Sequence, residues 1–291
     1  MTQATSPIGA MRSVLYMPGD KERALQKIPG LAADVVVLDL EDAVAPEKKA
    51  EARERSVQTL AEPANAARAL VVRTNGVDTP EFAADLQAVA RARPAAVLLP
   101  KYETLEALQA LRDGLRAAGA PGLPVWAMVE PPLGIADIAR LADANQAPGE
   151  AYPLTTLVIG TNDIARLTGT RMDDGRRHML AWLSTVLIHA KARGLRVLDG
   201  VYNDFSDAEG FAREAAQARA MGFDGKTLIH PAQIAPAHVA FAPTPEERAW
   251  AEKVVQAFAL PENQGRGAIK LDGGMVELLH LEIARRWLAA A

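Results

Sequence analysis

The chain has no cysteine among its 291 residues. This absence excludes disulfide bridges, thiolate-ligated zinc sites and cysteine nucleophiles. No apolar run approaches the roughly 18 residues that a membrane-spanning helix requires. The N-terminal segment, residues 1–11, is short and polar and lacks the hydrophobic core of a signal peptide. We therefore expect a cytoplasmic protein with no membrane partner.

An excess of positive charge is also missing, because 32 Lys and Arg residues face 36 Asp and Glu residues and the net charge is −4. Nucleic-acid-binding proteins usually carry a basic stripe, so this balance argues against a nucleic-acid partner. Hydrophobic residues make up 49% and charged residues 23%, which is typical of a globular protein. The length suits one large domain or two small ones.

Eight short apolar runs recur along the chain, and most of them end in a polar or turn residue. Their interiors are apolar without strict alternation, which is typical of parallel strands buried on both faces. The runs cover residues 13–18, 35–41, 70–75, 95–101, 125–130, 156–163, 196–202 and 225–231.

Stretches with helical spacing separate these runs, including residues 47–60, 80–92, 104–118, 176–193 and 207–221. Alternation of strand and helix at this spacing predicts βαβ units. Eight such units predict an α/β fold, a (β/α)8 TIM barrel that ends near Ala240. An open doubly wound sheet is the alternative, although its GxGxxG dinucleotide motif does not follow the first run.

The pattern changes in residues 241–291, which we predict to be a C-terminal helical extension to a barrel domain of residues 1–240. Thr244 is the predicted N-cap of a helix that starts at Pro245 and runs to about residue 260. A Gly-rich stretch, 261–274, precedes a last predicted helix over 276–290. This segment is too short for an independent core. We expect it to pack on its own barrel or on a neighbouring subunit.

Active sites of such barrels lie at the carboxyl ends of the strands, so the polar residues that end the runs are the candidates. Glu130 and Asp163 each follow a buried run, and the two predicted strands are neighbours. A carboxylate in such a place is costly unless it is paired or bound to a metal. Two carboxylates with waters and substrate oxygens are the usual ligands of Mg²⁺. Two helix N-caps or surface acids would give the same pattern.

Arg73 ends the third run, where its guanidinium could bind a substrate carboxylate with two hydrogen bonds. A structural ion pair with Glu41 or Asp42 explains it equally well. Asp39 and Glu41 share one face of the second strand. We expect Asp39, Glu41 and Asp42 to support the metal waters or Arg73, with surface ion pairing as the alternative.

Two basic residues also end runs. Lys101 could form a Schiff base only if its pKa were lowered, and the nearby carboxylates would raise that pKa. We therefore interpret Lys101 as a structural or electrostatic lysine. A single histidine such as His230 is more often a satisfied structural group than a base, and no other histidine has a metal-type spacing with it.

Several strings, in order along nearly the whole chain, resemble the citrate lyase beta-subunit family, within the wider HpcH/HpaI aldolase group that also holds malyl-CoA and citramalyl-CoA lyases. The string around Glu41 is the most specific. The strings are RSVLYMPG (12–19), LDLEDAVAP (38–46), VRTNG (72–76), GTND (160–163), DGVYND (199–204), GFDGK (222–226) and IHP (229–231).

The resemblance implies a Mg²⁺-dependent barrel that cleaves or forms a C–C bond next to a thioester. Glu130 and Asp163 match the family's metal ligands, and Arg73 matches the arginine that holds the carboxylate of a 2-oxo acid. The resemblance further implies a trimer or multiple of trimers in which the C-terminal segment closes over a neighbour's site. Positions that match contacts to coenzyme A are Tyr16, Lys21 and Lys27, with Ile229 and His230 where the thioester would lie.

One string departs from the family pattern. The lyases show Gly-x-Met-Ile/Val-Asp in the C-terminal segment, and that Asp serves as the acid/base. This chain has Gly273-Gly274-Met275-Val276-Glu277, so the acid is one methylene longer. Because proton transfer requires hydrogen-bond reach, this change is expected to affect substrate preference or rate. Asp272 is the second candidate for the acid/base.

The resemblance, together with the acids and the arginine at the strand ends, implies a Mg²⁺-dependent lyase that converts a 3-hydroxy-acyl-CoA, such as malyl-CoA or citramalyl-CoA, into acetyl-CoA and a 2-oxo acid. Three alternatives stay open. They are a citryl-thioester lyase subunit that works with a carrier protein, an aldolase for free 2-oxo acids without CoA, and a non-catalytic thioester-binding homologue. The sequence does not identify the acyl group, because such substrates differ by a methyl or a carboxylate.

Overall fold

The computed structural model describes residues 8–145 and 149–289. Its first compact unit, up to Ala240, is built on a closed barrel of eight parallel strands in sequence order. Pairing of the first strand with the eighth closes the barrel, so the predicted TIM barrel is confirmed and the open sheet is excluded. The strands are β1 (Ser13–Pro18), β2 (Val35–Asp39), β3 (Ala69–Arg73), β4 (Ala96–Leu99), β5 (Val125–Val129), β6 (Leu154–Ile159), β7 (Arg196–Asp199) and β8 (Gly225–Leu228).

Helices alternate with the strands along the chain. Thr104 caps α4 by accepting a hydrogen bond from the Ala107 N–H, and Asp207 caps α9 in the same way through the Gly210 N–H. The helices are α1 (Glu22–Leu25), α2 (Lys49–Ala61), α3 (Phe82–Ala92), α4 (Leu105–Ala117), α5 (Pro132–Ala136), α6 (Ile138–Leu141), α7 (Thr161–Thr168), α8 (Leu180–Ala192), α9 (Ala208–Met221) and α10 (Ile234–Phe241).

The start of α8 differs from the prediction, which placed it at Arg176. Gly175 and Arg176 have φ angles of 63° and 51°, so the backbone there is left-handed and the regular helix begins at Leu180. A non-glycine residue in that region is strained and must be held by its surroundings. The contacts of the Arg176 side chain supply that hold.

A buried ion cluster fastens Arg176 to the last two barrel strands. Its Nη1 donates to Asp199 Oδ1 at 2.6 Å, and Lys226 Nζ donates to Asp199 Oδ2 at 2.7 Å. Lys226 Nζ also lies 2.7 Å from Glu214 Oε1 on α9. Burial would raise the pKa of Asp199, but Lys226 and Arg176 outweigh it and hold that pKa below its usual value. The two cations and two anions therefore compensate each other inside the fold.

The barrel core consists of β-branched and large apolar side chains, as expected of strands buried on both faces. One buried cluster joins residues from most strands, and Trp126 is its largest member. The cluster contains Ile8, Met11, Val14, Val35, Val37, Val71, Ala96, Leu98, Trp126, Met128, Val158 and Leu198.

The second compact unit begins at Phe241. The predicted N-cap is confirmed: Thr244 and Glu247 form a reciprocal capping box at the start of α11 (Pro245–Ala259). The unit buries an apolar cluster of its own, which the argument from length did not anticipate. Its members are Ala251, Val254, Ile269, Val276, Leu281 and Ala284.

A β-hairpin that the sequence analysis did not predict occupies part of the Gly-rich stretch. Strands β9 (Ala268–Leu271) and β10 (Gly274–Glu277) pair antiparallel, and α12 (Leu278–Ala289) starts two residues later than predicted. The two-residue turn is Asp272-Gly273, with φ angles of 49° and 87°. Asp-Gly favours this turn because both residues tolerate positive φ. The dipeptide was the available signal for the hairpin.

No helix in the described ranges has the length and apolar character needed to cross a membrane.

Candidate active site

A cavity of about 350 Å³ lies at the carboxyl ends of the barrel strands. We call it the carboxylate pocket. Asp39 and Arg73 are the last residues of β2 and β3, Glu130 follows β5, and Asp163 lies in the first turn of α7. The pocket is lined by Tyr16, Asp39, Asp42, Ala43, Arg73, Met128, Glu130, Ile159, Gly160, Thr161, Asn162, Asp163, Val201, Thr227 and Ile229.

Arg73 is buried and forms a two-point ion pair with Asp39. Its Nε and Nη2 donate to the two oxygens of Asp39 at 2.7 and 2.6 Å. Burial would raise the pKa of Asp39, but the charge and hydrogen bonds of Arg73 outweigh it and lower that pKa. The structural partner is therefore Asp39 together with Glu41, which lies 3.0 Å from Nη1. Nη1 is the part of the guanidinium that Asp39 does not bind.

Glu41 links Arg73 to Lys101. Lys101 Nζ donates to Glu41 Oε1 at 2.5 Å, while the other oxygen of Glu41 faces Arg73. Burial raises the pKa of Glu41, and the two cations offset this only in part. Burial lowers the pKa of Lys101, but Glu41, Asp42 and Glu130 outweigh it and leave the pKa raised. A raised pKa is the opposite of what a Schiff-base lysine needs.

Glu130 is almost fully buried, at 2% exposed. Its Oε1 accepts a hydrogen bond of 2.8 Å from the backbone N–H of Lys101, whose positive φ of 51° is a strained conformation for lysine. Burial, followed by the negative charge of Glu41, raises the pKa of Glu130 to about 8. No ion pair formed by residues 8–145 and 149–289 includes Glu130.

Gly160 leaves the space that the Glu130 carboxylate occupies. A Cβ at Gly160 would lie 2.5 Å from Glu130 Cβ and 2.6 Å from its Oε2, which no side chain could accommodate. Glycine at the end of β6 therefore lets the two strand ends approach each other. Oε2 of Glu130 consequently faces the turn that leads to Asp163.

Asp163 is partly exposed and pairs with Arg166, three residues further along α7, at 2.5 Å. Arg166 is itself 66% exposed, and such surface pairs on one helix contribute little because water competes with them. The negative charge of Asp163 acts on Glu130 and contributes to its raised pKa. Both carboxylates line the same pocket, so the structure brings the two predicted metal ligands together.

The donor set fits a hard divalent cation with few protein ligands. Within the described part of the chain, no group of three or more His, Cys, Asp or Glu side chains is arranged to hold a metal. Two carboxylates completed by waters and substrate oxygens suit Mg²⁺, which keeps much of its hydration shell. Glu130 is a buried carboxyl group that forms no ion pair among the described residues, so a bound cation would stabilise its ionised form.

A second cavity, of about 450 Å³, adjoins the carboxylate pocket and shares Tyr16 and Ile229 with it. We call it the basic-rimmed pocket. It contains all five positions that the family resemblance implies for coenzyme A. Its lining is Leu15, Tyr16, Met17, Pro18, Lys21, Arg23, Ala24, Lys27, Leu31, Ile229, His230 and Pro231. An extended ligand would pass Tyr16 and Ile229 to occupy both cavities.

Tyr16 and His230 are held by aromatic contacts. The Arg73 guanidinium lies over the Tyr16 ring, 4.9 Å from its centroid. The His230 ring stacks on Phe205 at 4.8 Å, and its Nδ1 accepts a hydrogen bond from the Ala232 N–H. His230 therefore has the contacts of a structural group.

The two candidate acid/base residues of the C-terminal unit differ in their surroundings. Asp272 sits in the hairpin turn, exposed, and pairs with Lys253 at 2.8 Å. Glu277 ends β10, and its N–H donates to His280 Nδ1 at 2.9 Å. The positive φ of Asp272 and its ion pair indicate that this residue stabilises the hairpin turn.

Sequence reasoning missed two residues behind the carboxylate pocket, Lys49 and Asn75. Both are buried and polar, at 9% and 4% exposed. Asn75 lies in the string VRTNG, two residues after Arg73, which was the available signal. No local pattern marks a buried lysine near the start of a helix whose other residues are largely polar.

Together the fold and the pocket define a (β/α)8 barrel with a carboxylate and arginine site at the carboxyl ends of its strands. The family model for HpcH/HpaI aldolase/citrate lyase matches residues 12–231. The chain belongs to this family, so the resemblance found in the sequence is confirmed.

Individual relatives match nearly the whole chain. A (3S)-malyl-CoA thioesterase of Cereibacter sphaeroides is 46% identical over 281 residues, covering 96% of this chain and 94% of the relative. The mitochondrial citramalyl-CoA lyase of Rattus norvegicus is 35% identical over 289 residues, covering 96% and 86%. The structure of CitE from Mycobacterium tuberculosis in complex with magnesium, acetoacetate and coenzyme A has a TM-score of 0.77 and 34% identity, covering 98% of this chain and 99% of that one.

Proposed function

We propose that this protein is a Mg²⁺-dependent C–C lyase acting on a 3-hydroxy-acyl-CoA such as malyl-CoA or citramalyl-CoA. The observation that supports this most is a pair of adjoining cavities that share Tyr16 and Ile229. Glu130, Asp163 and Arg73 line the first cavity, and Lys21 and Lys27 line the second. A small anionic head with a long thioester tail matches this arrangement. The lyase, thioesterase and CoA-complexed CitE relatives support the same substrate class.

Glu130 and Asp163 would hold Mg²⁺, which when bound polarises the hydroxyl and carboxylate oxygens of the substrate. Arg73 would bind that carboxylate through Nη1, since Asp39 fixes the rest of the guanidinium. The hydroxyl proton leaves, the C–C bond breaks to give the 2-oxo acid, and its electron pair passes to the acetyl-CoA enolate. That enolate then takes up a proton to give acetyl-CoA.

We keep Glu277 as the proposed acid/base for these proton transfers and Asp272 as the second candidate. Both rest on their place in the string 272–277. Glu277→Gln should lower kcat by orders of magnitude, whereas Asp272→Asn should have little effect if its role is the turn. The reverse result would exchange the two assignments.

The test uses (3S)-malyl-CoA and citramalyl-CoA with Mg²⁺, following acetyl-CoA by chromatography and the 2-oxo acid as its phenylhydrazone. Equal amounts of both products are expected, with activity abolished by EDTA and by Glu130→Ala. Full activity and unchanged Mg²⁺ dependence in Glu130→Ala would refute the metal assignment. Lys21→Ala with Lys27→Ala should raise KM for the thioester; no effect would favour the CoA-independent aldolase.

Thioester hydrolysis is the second candidate, favoured by the 46% identity to a (3S)-malyl-CoA thioesterase. The same substrate would then give malate and free coenzyme A instead of acetyl-CoA and glyoxylate. A thiol reagent distinguishes the reactions cleanly, because the chain has no cysteine and only released CoA reacts. Free thiol at the rate of substrate loss, without 2-oxo acid, would replace the lyase assignment.

The remaining alternatives have their own outcomes. Turnover only of a citryl thioester on a carrier protein would indicate a citrate lyase subunit, and thioester binding without turnover a non-catalytic homologue. We also propose a cytoplasmic homo-oligomer, a trimer or multiple of trimers, in which residues 241–291 pack on a neighbouring subunit. Light scattering on the purified protein should then give about three chain masses or a multiple, and a monomer would refute it.

A further inference from the structure

Helix α2 buries a polar face, whereas helices usually bury an apolar one. The buried residues of α2 are Lys49, Ala52, Ser56 and Thr59, which recur at helical spacing. An apolar face would pack against the barrel at lower cost, because burying an ammonium is expensive unless all its donors are satisfied. The position of Lys49 therefore calls for a specific reason.

The Lys49 ammonium binds three oxygens. Nζ donates to the carbonyl of Leu40 at 2.8 Å, to the carbonyl of Glu41 at 2.7 Å and to Asn75 Oδ1 at 2.7 Å. These bonds use all three donors of the ammonium. No carboxylate of the described residues forms an ion pair with it. Lys49 thus binds the backbone of the turn after β2 through hydrogen bonds rather than neutralising a single acid.

Asn75 completes this grip from the third strand. Its Nδ2 donates to the Leu40 carbonyl at 2.9 Å and to Asp85 Oδ2 at 2.7 Å. Its backbone N–H donates to the same oxygen of Asp85 at 2.7 Å. Asp85 is fully buried, and Arg53, one turn after Lys49 on α2, donates to its Oδ1 at 3.1 Å. The contacts run from α2 through Asn75 and back to α2.

The backbone that Lys49 binds belongs in part to Glu41, which contacts both Arg73 and Lys101. Glu41, whose carbonyl Lys49 binds, places its side chain between Arg73, which lines the pocket, and Lys101. Lys101 in turn directs its backbone N–H to Glu130. Fixing the Leu40–Glu41 peptide therefore fixes the contact that orients Nη1 of Arg73. A displacement of about 1 Å at a catalytic group costs on the order of 10²-fold in rate.

We propose that Lys49, with Asn75, is a positioning residue for catalysis: it holds the Leu40–Glu41 backbone so that Glu41 orients Arg73 and Lys101 toward the substrate. This inference rests on the proposed function and adds to it a part of the machinery that touches neither substrate nor metal. We call the arrangement the Lys49 clamp.

The test compares Lys49→Met with Lys48→Met in the malyl-CoA assay. Lys48 is the matched control, because it is the preceding residue, is 52% exposed and only pairs with Glu51 on the surface. Lys49→Met should lower kcat/KM by about 10- to 100-fold. Lys48→Met should leave it within about twofold, since exposed pairs contribute little.

A double-mutant cycle separates positioning from general stability. If Lys49 acts through Glu41, the Glu41→Gln/Lys49→Met double variant should lose no more than about threefold beyond Glu41→Gln alone, because one interaction is removed twice. A lysine with a merely structural role would multiply the two losses. Multiplied losses, or a Lys49→Met kcat/KM within about twofold of the control, would overturn the clamp.

Circular dichroism and urea unfolding establish that each variant is folded before the assay. If Lys49→Met does not fold, Lys49→Gln takes its place, because its amide keeps two donors for the carbonyls. The same cycle then applies with the same outcomes. An active wild-type enzyme with an unaffected Lys49 variant refutes only the clamp, whereas a wild-type enzyme that turns over no thioester refutes the proposed function itself.

Discussion

Binding of Mg²⁺ to the carboxylate pocket should release a proton from Glu130. Burial and the neighbouring Glu41 raise the pKa of Glu130 to about 8. At pH 7 about nine-tenths of these carboxyl groups are therefore protonated before a cation binds. A metal ligand must be deprotonated, so the cation displaces that proton. The apparent affinity for Mg²⁺ therefore rises with pH up to the pKa of Glu130 and levels off above it.

The pKa of about 8 also sets the size of the change in Mg²⁺ affinity and the number of protons released. Between pH 6.5 and pH 8.5 the ionised fraction of Glu130 rises about 25-fold, and the apparent association constant for Mg²⁺ should rise equally. Binding should release about 0.9 proton per ion at pH 7 and about 0.2 at pH 8.5. Isothermal titration calorimetry in buffers of different ionisation enthalpy measures both quantities.

Glu130→Gln provides the control, because it keeps the shape of the side chain without its charge. It should bind Mg²⁺ weakly and with little dependence on pH in this range. An affinity of the wild-type protein that stays constant from pH 6.5 to 8.5, with no proton release, would refute the assignment of Glu130 as a buried ligand that exchanges a proton for the cation.

Three other substitutions test the site and the fold. Gly160→Ala places a Cβ 2.5 Å from the buried glutamate and should abolish both activity and Mg²⁺ binding, whereas Gly9→Ala, with nothing within 4 Å, should be neutral in both assays. Lys226→Met leaves Asp199 and Glu214 with one cation, Arg176, in place of two, so one buried negative charge is no longer compensated. It should lower the free energy of unfolding in urea by about 3–5 kcal/mol; the exposed control Lys191→Met should cost about 0–1 kcal/mol, and equal costs would contradict the buried network. Arg73→Lys cannot reproduce the planar fork and should lower kcat/KM for malyl-CoA by about 100-fold, so near-wild-type turnover would exclude its role in substrate binding.

The barrel could be predicted because each strand is a buried apolar run and most runs end in a polar or turn residue. The predicted edges failed where tertiary structure decides them. β6 starts at Leu154 rather than residue 156, because Leu154 pairs with Val125 across an irregularity in the register. α8 starts at Leu180, because the buried ion cluster holds Arg176 in a left-handed conformation. Neither cause is visible in a local window of sequence.

The expectation that polar residues at the ends of strands form the site also identified three residues that line the carboxylate pocket, Arg73, Glu130 and Asp163. The ion pairs of these residues could not be predicted in this way, since Asp39 binds Nε and Nη2 of Arg73 and Glu41 turns toward Lys101. Which acid faces which base depends on side-chain directions set by the barrel. The Lys49 clamp was missed because lysine is usually exposed, so its residue type predicts a surface position.

The closed barrel and the hairpin differ in what they offer to another molecule. Every barrel strand has a neighbour on both sides, so none presents free backbone groups that could recruit a foreign strand. Among the described residues, β9 and β10 alone have unpaired edges. They are four residues each, and β9 carries Lys270, so both are poor templates for fibril growth. In the part of the chain that the structure describes, this short, charged hairpin is accordingly the place where edge-to-edge aggregation could start.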